Sequence, residues 1–284
     1  MQAPDRVGIG WRPALAAAIL AHLDQIDVVE IIADDHFGAS ARDLRALDTL
    51  AREAPVVLHG IGLGLASCVA VEGRRLEAMA RLVDRLHPLF WSEHLAFVRG
   101  GGREIGHLAA PPRVEATIEG TASNVVRARS VVGASPLLEN VATLIDPPGS
   151  DRDEISWIRQ TCRAADVGLL LDLHNLHANA VNFGFDALAT LDGLPLDRVV
   201  GVHLAGGRWI SWGEHRRLLD DHLHDVPDAV FHLLEAVGTR APRPMTVGLE
   251  RDGAFPPMEH LLAELARARH ALAVGRARRP RAAS

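Results

Sequence analysis

Hydrophobic residues in this chain form short clusters, and between the clusters apolar residues recur at three- and four-residue spacing. Eight clusters rich in Val, Ile and Leu predict strands: VGIGW (7–11), VVEIIA (28–33), VVLHGIG (56–62), LFWSEHL (89–95), PLLENV (136–141), VGLLLDLHN (167–175), RVVGVHLAG (198–206) and MTVGLERD (245–252). The stretches between them predict helices. Strands and helices therefore alternate along the chain.

Some predicted helices have recognisable first residues. Pro13 is suited to the first turn of a helix, and Ser40 with Asp43 forms a capping-box pattern. The stretches 72–87 and 151–166 carry apolar residues at helical spacing. Eight β-then-α units predict a (β/α)8 barrel. We expect a single barrel domain over residues 1–275, followed by a basic, disordered tail over 276–284.

Composition and charge exclude several classes of protein. The chain has 284 residues, is 48% hydrophobic and has a formal net charge of -6, which does not favour a nucleic-acid partner. It lacks an uncharged apolar run of about 18 residues and a charged-then-apolar signal at its N-terminus. We therefore expect a cytoplasmic protein that contacts neither nucleic acid nor membrane.

Two sequence features argue against a cysteine-based zinc site, a disulfide scaffold and a nucleotide site. Cys68 and Cys162 are far apart and lack CxxC spacing, so neither a zinc knuckle nor a disulfide scaffold is indicated, and we expect both as core residues on helices. The glycine-dense stretch GIGLG (60–64) lacks the full GxGxxG and GKS/T patterns, which argues against a nucleotide site.

Polar side chains gather at the C-terminal ends of the predicted strands. They are His59, Glu93, His94, Glu139, Asn140, Asp172, His174, Asn175, His203, Glu250, Arg251 and Asp252, and the second strand runs out into Asp34, Asp35 and His36. The opposite ends of the strands are mostly apolar. Because the C-terminal ends of the strands of a (β/α)8 barrel form the face that carries the active site, we expect these side chains on one rim.

The residue types on this rim predict a metal centre. Imidazole and oxygen donors suit Mn, Fe, Zn or Co, and the rim has neither cysteine nor a serine beside a base. Six candidates exceed what one ion needs: His59, His94, Glu139, Asp172, His203 and Glu250. A carboxylate that bridges two cations would have its charge balanced, whereas an unpaired buried carboxylate is costly.

The connection between the last two predicted strands carries a further cluster, LLDDHLHDV (218–226). Asp220 and His222 lie on one side of this segment if it is extended. Trp209 and Trp212, in the same connection, could wall a cavity or form part of a lid.

Each candidate also has a structural interpretation. Asp172 could cap the next helix, Asn175 could be a turn residue, and Glu139 could cap a loop. Glu250, Arg251 and Asp252 could form ion pairs on the rim, and residues 220–225 could be a solvated acidic run. Glu30, in the middle of a strand, stays open between the two interpretations. The joint placement of the candidates favours a metal centre.

Seven motifs, in this order, resemble a known family: HGIGLGL (59–65), SEHLAF (92–97), LLENV (137–141), LLDLHN (170–175), VHLAG (202–206), LDDHLHDV (219–226) and LERDGAFP (249–256). The family is that of the multinuclear non-heme iron-dependent oxidative enzymes, which includes the methanobactin-maturing oxidase. The resemblance implies a xylose-isomerase-like TIM barrel with two or three iron ions, mixed Fe(II) and Fe(III), with Zn or Mn as alternatives. It also implies the use of dioxygen to modify residues, often cysteine, of a ribosomally synthesised precursor peptide, commonly with a partner protein that binds the leader.

The resemblance further implies the metal ligands. They would be His59, His94, Glu139, Asp172, Asn175, His203, Asp220, His222 and Glu250, with Glu139 as the bridge and with Asp252 and Arg251 orienting substrate or ligands. The chain departs from the family pattern at residues 34–36, where many relatives have Glu-Asn, and at His174 and His177. These departures leave the peptide and its product open. The alternatives are a divalent-metal isomerase or AP-endonuclease-like barrel, and a non-catalytic metal-binding or docking module.

Overall fold

The computed structural model describes residues 4–213 and 215–279. Its strands are β1 (Arg6–Gly10), β2 (Val29–Ile32), β3 (Val56–Gly60), β4 (Trp91–His94), β5 (Phe97–Gly100), β6 (Arg103–Ala109), β7 (Leu137–Glu139), β8 (Leu169–Asp172), β9 (Val199–Leu204), β10 (Gly207–Trp212), β11 (His215–Asp220) and β12 (Thr246–Leu249). Its α-helices are α1 (Ala16–Ala21), α2 (Ala41–Glu53), α3 (Gly73–Leu86), α4 (Glu115–Val132), α5 (Glu154–Ala165), α6 (Leu173–Phe183), α7 (Ala187–Thr190), α8 (Asp228–Arg240) and α9 (Met258–Arg278).

Eight parallel strands close into a barrel in the order β1-β12-β9-β8-β7-β4-β3-β2. These are the eight strands predicted from the sequence, so the predicted (β/α)8 barrel is confirmed. Apolar residues of the strands and helices, such as Ile31, Val202 and Leu265, form one buried core cluster. Several predicted strands extend too far: β12 stops at Leu249 rather than at Asp252, and β8 stops at Asp172, so that His174 and Asn175 belong to the first turn of α6.

Side-chain caps determine where two of the helices begin. Ser40 accepts a hydrogen bond from the Asp43 backbone N–H (3.3 Å) and donates to the Asp43 carboxylate (2.7 Å), so the predicted cap of α2 is confirmed. Asp153 accepts a hydrogen bond from the Ser156 N–H (2.7 Å), and α5 therefore begins at Glu154 rather than near Asp151.

Two antiparallel hairpins that the sequence did not predict extend the loops after barrel strands. β5 pairs with β6 after β4, and β10 pairs with β11 after β9. Gly101 and Gly102 supply the left-handed backbone conformation that the first hairpin needs at its turn (φ 58° and 76°). Because both hairpins follow the C-terminal ends of barrel strands, they lie on the rim that carries the candidate residues.

The chain end and one of the two cysteines differ from expectation. Helix α9 continues through Arg278 because the Arg276 guanidinium bonds the Asp5 carboxylate (2.9 and 3.0 Å). Residues 280–284 of the predicted tail lie outside the described residues. Cys68 is exposed in the loop after β3, whereas Cys162 is buried on α5. Within the described ranges no helix has both the length and the apolar character needed to cross a membrane.

Candidate metal centre

Five barrel strands and the residue after a sixth direct polar side chains to one mouth of the barrel. His59 lies near the end of β3, His94 ends β4, Glu139 ends β7, Asp172 ends β8, His203 lies in β9 and Glu250 follows β12. The strand register puts His94 beside Glu139, and Asp172 beside His203. Residues far apart in the sequence thus meet at the rim, as predicted.

Six of these side chains form two groups that each have the geometry to hold a cation. The first group is His59, His94 and Glu139, and the second is Glu139, Asp172, His203 and Glu250. Glu139 belongs to both. Its Oε2 lies 3.3 Å from Nε2 of His59 and 3.3 Å from Nε2 of His94, while its Oε1 lies 2.9 Å from Nδ1 of His203. This carboxylate is therefore positioned as a bridge between two adjacent sites.

The two histidines of the first group have fixed ring orientations. Nδ1 of His59 is 2.8 Å from the Ser92 hydroxyl, and Nδ1 of His94 is 3.2 Å from the Gly60 carbonyl oxygen. Nε2 of each ring therefore faces Glu139. A histidine that binds a metal usually has its other ring nitrogen hydrogen-bonded in this way.

Asp172 is both a helix cap and a candidate ligand, so its two interpretations are compatible. Its Oδ1 accepts the Asn175 N–H (2.6 Å) and caps α6. Its Oδ2 is buried and has no hydrogen-bond partner. Asn140 holds the Asp172 backbone from the other side, accepting its N–H and donating to its carbonyl oxygen, both at 2.9 Å.

Unpartnered polar atoms concentrate at this mouth. The described residues contain seven buried side-chain N or O atoms without a hydrogen-bond partner, and five belong here: Glu30 Oε1, Glu139 Oε2, Asp172 Oδ2, His174 Nε2 and Asn175 Oδ1. Each such atom costs about 1–3 kcal/mol if nothing binds it. Four of the five are oxygens, the donors that hard and intermediate cations accept. The residues present therefore fit a metal centre.

Without a cation, protons on the histidines and on Asp172 offset the negative charge of the other carboxylates. Burial lowers the pKa of His94, but the nearby Glu139 and Glu93 outweigh it and raise this pKa to about 9. Burial raises the pKa of Glu139, yet the surrounding His94 and His203 bring it below its usual value. Burial, together with Glu139 and Asp220, raises the pKa of Asp172 well above its usual value. The mouth is an electrostatic cluster that cations could stabilise in place of protons.

Asp220 and His222 lie beside the two groups, at the edge of the mouth. Nε2 of His222 is 3.0 Å from Asp220 Oδ2, and its Nδ1 is 3.2 Å from Asp252 Oδ2 and 3.6 Å from Glu250 Oε2. His222 has a left-handed backbone (φ 53°), a conformation that few non-glycine residues adopt. Asp220 and His222 therefore face each other, and His222 also lies near Glu250, although among the described residues neither belongs to a preassembled group of ligands.

Two other carboxylates on the rim, those of Asp34 and Glu93, accept hydrogen bonds from backbone N–H groups. The Asp34 carboxylate accepts the N–H groups of Ile61 (2.8 Å) and Gly62 (3.1 Å), and Glu93 accepts that of Leu63 (3.1 Å). A Cβ at Gly62 would lie 2.5 Å from Asp34 Oδ1, so the glycines of GIGLG are explained by this close packing. Asp34 thus has a structural role in the segment 34–36, where the chain differs from the family pattern.

The two proposed orienting residues differ in what they contact. Asp252 bonds His222 and the Arg12 guanidinium. Arg251 bonds the carbonyl oxygens of Gly253 (3.1 Å) and Ala254 (3.0 Å) and the Asp225 carboxylate; within the described residues none of its hydrogen bonds reaches a candidate ligand. Arg251 therefore holds the loop after β12.

His174 and Trp209 belong to elements on the same rim. Nδ1 of the fully buried His174 is 2.7 Å from Asp220 Oδ1, so His174 fixes this carboxylate. The ring of His177 lies 6.4 Å from that of His174. Trp209 on β10 is half exposed beneath the Arg216 guanidinium (4.7 Å), and the side chain of Trp212 lies outside the described residues.

Sequence reasoning did not foresee which residues support the candidate ligands, although it named some of them as rim residues. Ser92, Asn140 and His174 stood at strand ends but gave no signal of their partners, and Glu30 was left open. The spacing of charged residues within strands identifies side chains that point into a barrel, but the partner across the barrel depends on the closed order of the strands.

The fold and the family are supported by comparisons with known proteins. Over 94% of its length the chain superposes on 3-keto-D-glucoside 4-epimerase from E. coli (TM-score 0.57, 15% identity, 99% of that chain) and on endonuclease IV from Thermus thermophilus (TM-score 0.56, 19% identity, 98% of that chain). At this identity the similarity shows the barrel fold alone.

The sequence comparisons identify the family. A UPF0276 protein of Anaeromyxobacter sp. (strain Fw109-5) is 34% identical over 261 residues, which is 92% of this chain and 90% of that protein. Residues 6–273 match the family model described as RiPP precursor modification enzyme MbnB/TglH/ChrH, where RiPP denotes a ribosomally synthesised and post-translationally modified peptide. The resemblance drawn from the motifs is thereby confirmed, and the chain belongs to the MbnB/TglH/ChrH family of RiPP precursor modification enzymes.

Proposed function

We propose that this protein is an iron-dependent oxidase that uses dioxygen to modify residues, often cysteine, of a ribosomally synthesised precursor peptide. Family membership supports a precursor peptide as substrate. The observation that carries the proposal is the pair of buried ligand groups that share Glu139 and leave oxygens unsatisfied. Among the first-row metals, iron is well suited to imidazole and carboxylate donors of this kind.

The geometry divides the proposed ligands into one set for each ion. His59, His94 and Glu139 would hold one ion, and Glu139, Asp172, His203 and Glu250 a second. The remaining proposed ligands, Asn175, Asp220 and His222, would serve a further ion, for a total of two or three in mixed Fe(II) and Fe(III) states. Zn or Mn is the alternative occupant.

When bound, iron supplies the electron transfer and the reaction with dioxygen, and the protein supplies position and charge. Glu139 would contribute an oxygen to each of two ions. Asp252 holds Nδ1 of His222 and, with Arg12, fixes the exposed side of the mouth. His94, Asp220 and His222 are the partly exposed proposed ligands (side chains 13%, 19% and 15% exposed), so the substrate would reach the centre over them. The fully buried ligands beneath exclude water from the other side.

The proposal includes partners. The precursor peptide would meet the enzyme in the cytoplasm, commonly delivered by a second protein that binds its leader. The competing functions are a divalent-metal isomerase or endonuclease, whose barrel has the same fold, and a non-catalytic metal-binding or docking module. These alternatives differ in their need for oxygen and in whether they turn over.

The test is anaerobic reconstitution with Fe(II), Zn(II) or Mn(II), followed by oxygen uptake and mass spectrometry with a precursor peptide encoded beside the gene and its leader-binding protein. We expect oxygen consumption and a peptide mass change with iron only, both lost in Glu139→Gln. Glu154→Gln is the matched control, because Glu154 is a largely buried carboxylate (side chain 15% exposed) whose partners are Asn179 and Arg113 rather than a proposed ligand. Full turnover with zinc in the absence of oxygen would indicate the isomerase or endonuclease, and bound metal without turnover would indicate the docking module.

A further inference from the structure

A charged side chain lies in the middle of β2, where the sequence alone could not decide its role. Glu30 is 3% exposed, and its Oε2 lies 2.7 Å from Nε2 of His203, which is 1% exposed. Its Oε1 is buried without a hydrogen-bond partner. A carboxylate in this position is costly unless it serves a specific partner. The partner that the structure gives it is a candidate metal ligand.

The barrel is built to allow this contact. Glu30 is on β2 and His203 on β9, and β12 and β1 stand between them in the closed order. Gly248 on β12 is the register neighbour of His203, and a Cβ there would lie 3.2 Å from His203 Cδ2 and 3.5 Å from its Nε2. The missing side chain at Gly248 therefore leaves the space through which the imidazole reaches across two strands to Glu30.

The two nitrogens of His203 face opposite groups. Nδ1 is directed to the centre, 2.9 Å from Glu139 Oε1 and 3.2 Å from Glu250 Oε2, while Nε2 faces Glu30. A histidine binds a cation through one nitrogen, and a carboxylate on the other nitrogen fixes the tautomer and the plane of the ring.

We propose that Glu30 is the positioning residue of His203: by accepting the Nε2–H it holds the ring so that Nδ1 is presented to the cation shared with Glu139, Asp172 and Glu250. This inference rests on the proposed function, because it takes His203 to be a ligand. It adds a residue outside the ligand set that the family resemblance implies. Glu30 acts through His203 and does not itself contact the cation.

Two other roles for Glu30 make different predictions. If Glu30 served only by its negative charge, a shorter carboxylate at the same position would serve equally well. If it were only a structural element of the barrel, its replacement would change stability without changing the electronic environment of the bound metal. The length and the charge of the side chain can therefore be tested separately.

The experiment is a cobalt(II) titration of the metal-free full chain, followed by its visible absorption spectrum, with chelator competition for affinity. The variants are Glu30→Gln, which removes the charge and keeps the shape, and Glu30→Asp, which keeps the charge and withdraws the carboxylate from His203. Glu154→Gln is the control, since it removes a buried carboxylate whose partners are Asn179 and Arg113. Circular dichroism establishes that each variant is folded, and Glu30→Asp carries the test if Glu30→Gln does not fold.

We expect Glu30→Asp to bind cobalt about 10- to 100-fold more weakly than the parent, the range usual for partners of ligating histidines. Glu30→Gln should lose less, because its amide oxygen can still accept the Nε2–H of His203. The cobalt spectra of both variants should also differ from that of the parent, whereas Glu154→Gln should match the parent in both respects. Parent-like affinity and spectrum in Glu30→Asp would overturn the positioning role while leaving the metal centre intact. A parent chain that binds no cobalt would overturn the metal centre itself, and the inference with it.

Discussion

Replacing Asp172 by Asn should stabilise the metal-free protein and destroy metal binding. Asp172 caps α6 through Oδ1, and an Asn at this position keeps that oxygen for the Asn175 N–H. It replaces the buried, unpartnered Oδ2 by an uncharged amide NH2 group. Because burial raises the pKa of Asp172, the amide avoids the free energy of keeping that carboxyl protonated or of burying its charge, which is on the order of 1–3 kcal/mol.

The expected change is measurable. For a chain of this size about 1 kcal/mol shifts Tm by roughly 2 °C, so we expect Tm of the metal-free protein to rise by about 2–6 °C. Asp172→Ala loses the helix cap as well and should fall about 1 kcal/mol below Asp172→Asn. Burial raises the pKa of Asp172, and a carboxyl with a raised folded-state pKa costs stability progressively as pH rises above its unfolded value. The gain should therefore be larger near about pH 8 than near about pH 5.

The assay is differential scanning calorimetry of chelator-treated protein, combined with metal analysis after reconstitution. Asp172→Asn should have a higher Tm than the parent and bind less metal, a trade of function for stability. A lower Tm in Asp172→Asn than in the parent, or parent-like metal content, would refute the assignment of Oδ2 to a cation.

Three further predictions follow from single contacts. Asn140→Leu leaves the Asp172 N–H and carbonyl oxygen without their hydrogen bonds to Asn140. It should lower the free energy of unfolding, measured by urea titration, by about 2–4 kcal/mol. A loss below about 1 kcal/mol would contradict this. Because the pKa of His94 is raised to about 9, cobalt binding near neutral pH should release at least one proton, and the affinity should increase as pH rises. Calorimetry in buffers of different ionisation enthalpy measures this proton release. An affinity that does not depend on pH would be inconsistent with His94 as a ligand. Native protein should react with a thiol reagent at exposed Cys68 and not at Cys162, where burial raises the pKa to about 12; equal rates at both thiols would disprove the burial.

Much of the barrel was predictable because buried parallel strands carry a strong local signal. Strands such as Val56–Gly60 and Val199–Leu204 are short aliphatic runs with a histidine near their C-terminal ends, and the closed sheet brings those ends together. The candidate ligands at strand ends were therefore identifiable without the structure.

Other features were not predictable from local patterns. Strand β10 has the exposed residues Arg208 and Trp209 next to each other, so it lacks the strict alternation of apolar and polar residues that would signal a strand. Helix α6 begins earlier than predicted because the Asp172 cap takes over directly where β8 ends. The pairing of Glu30 with His203 depends on the order in which the strands close, which no sequence pattern specifies.

The most direct test of a carboxylate-bridged metal centre is anomalous diffraction at the iron edge from crystals prepared anaerobically with Fe(II). At least two peaks should appear at the barrel mouth, one among His59, His94 and Glu139 and another among Asp172, His203 and Glu250, with Glu139 contacting both. A mouth without peaks, or a single peak that Glu139 does not touch, would contradict it.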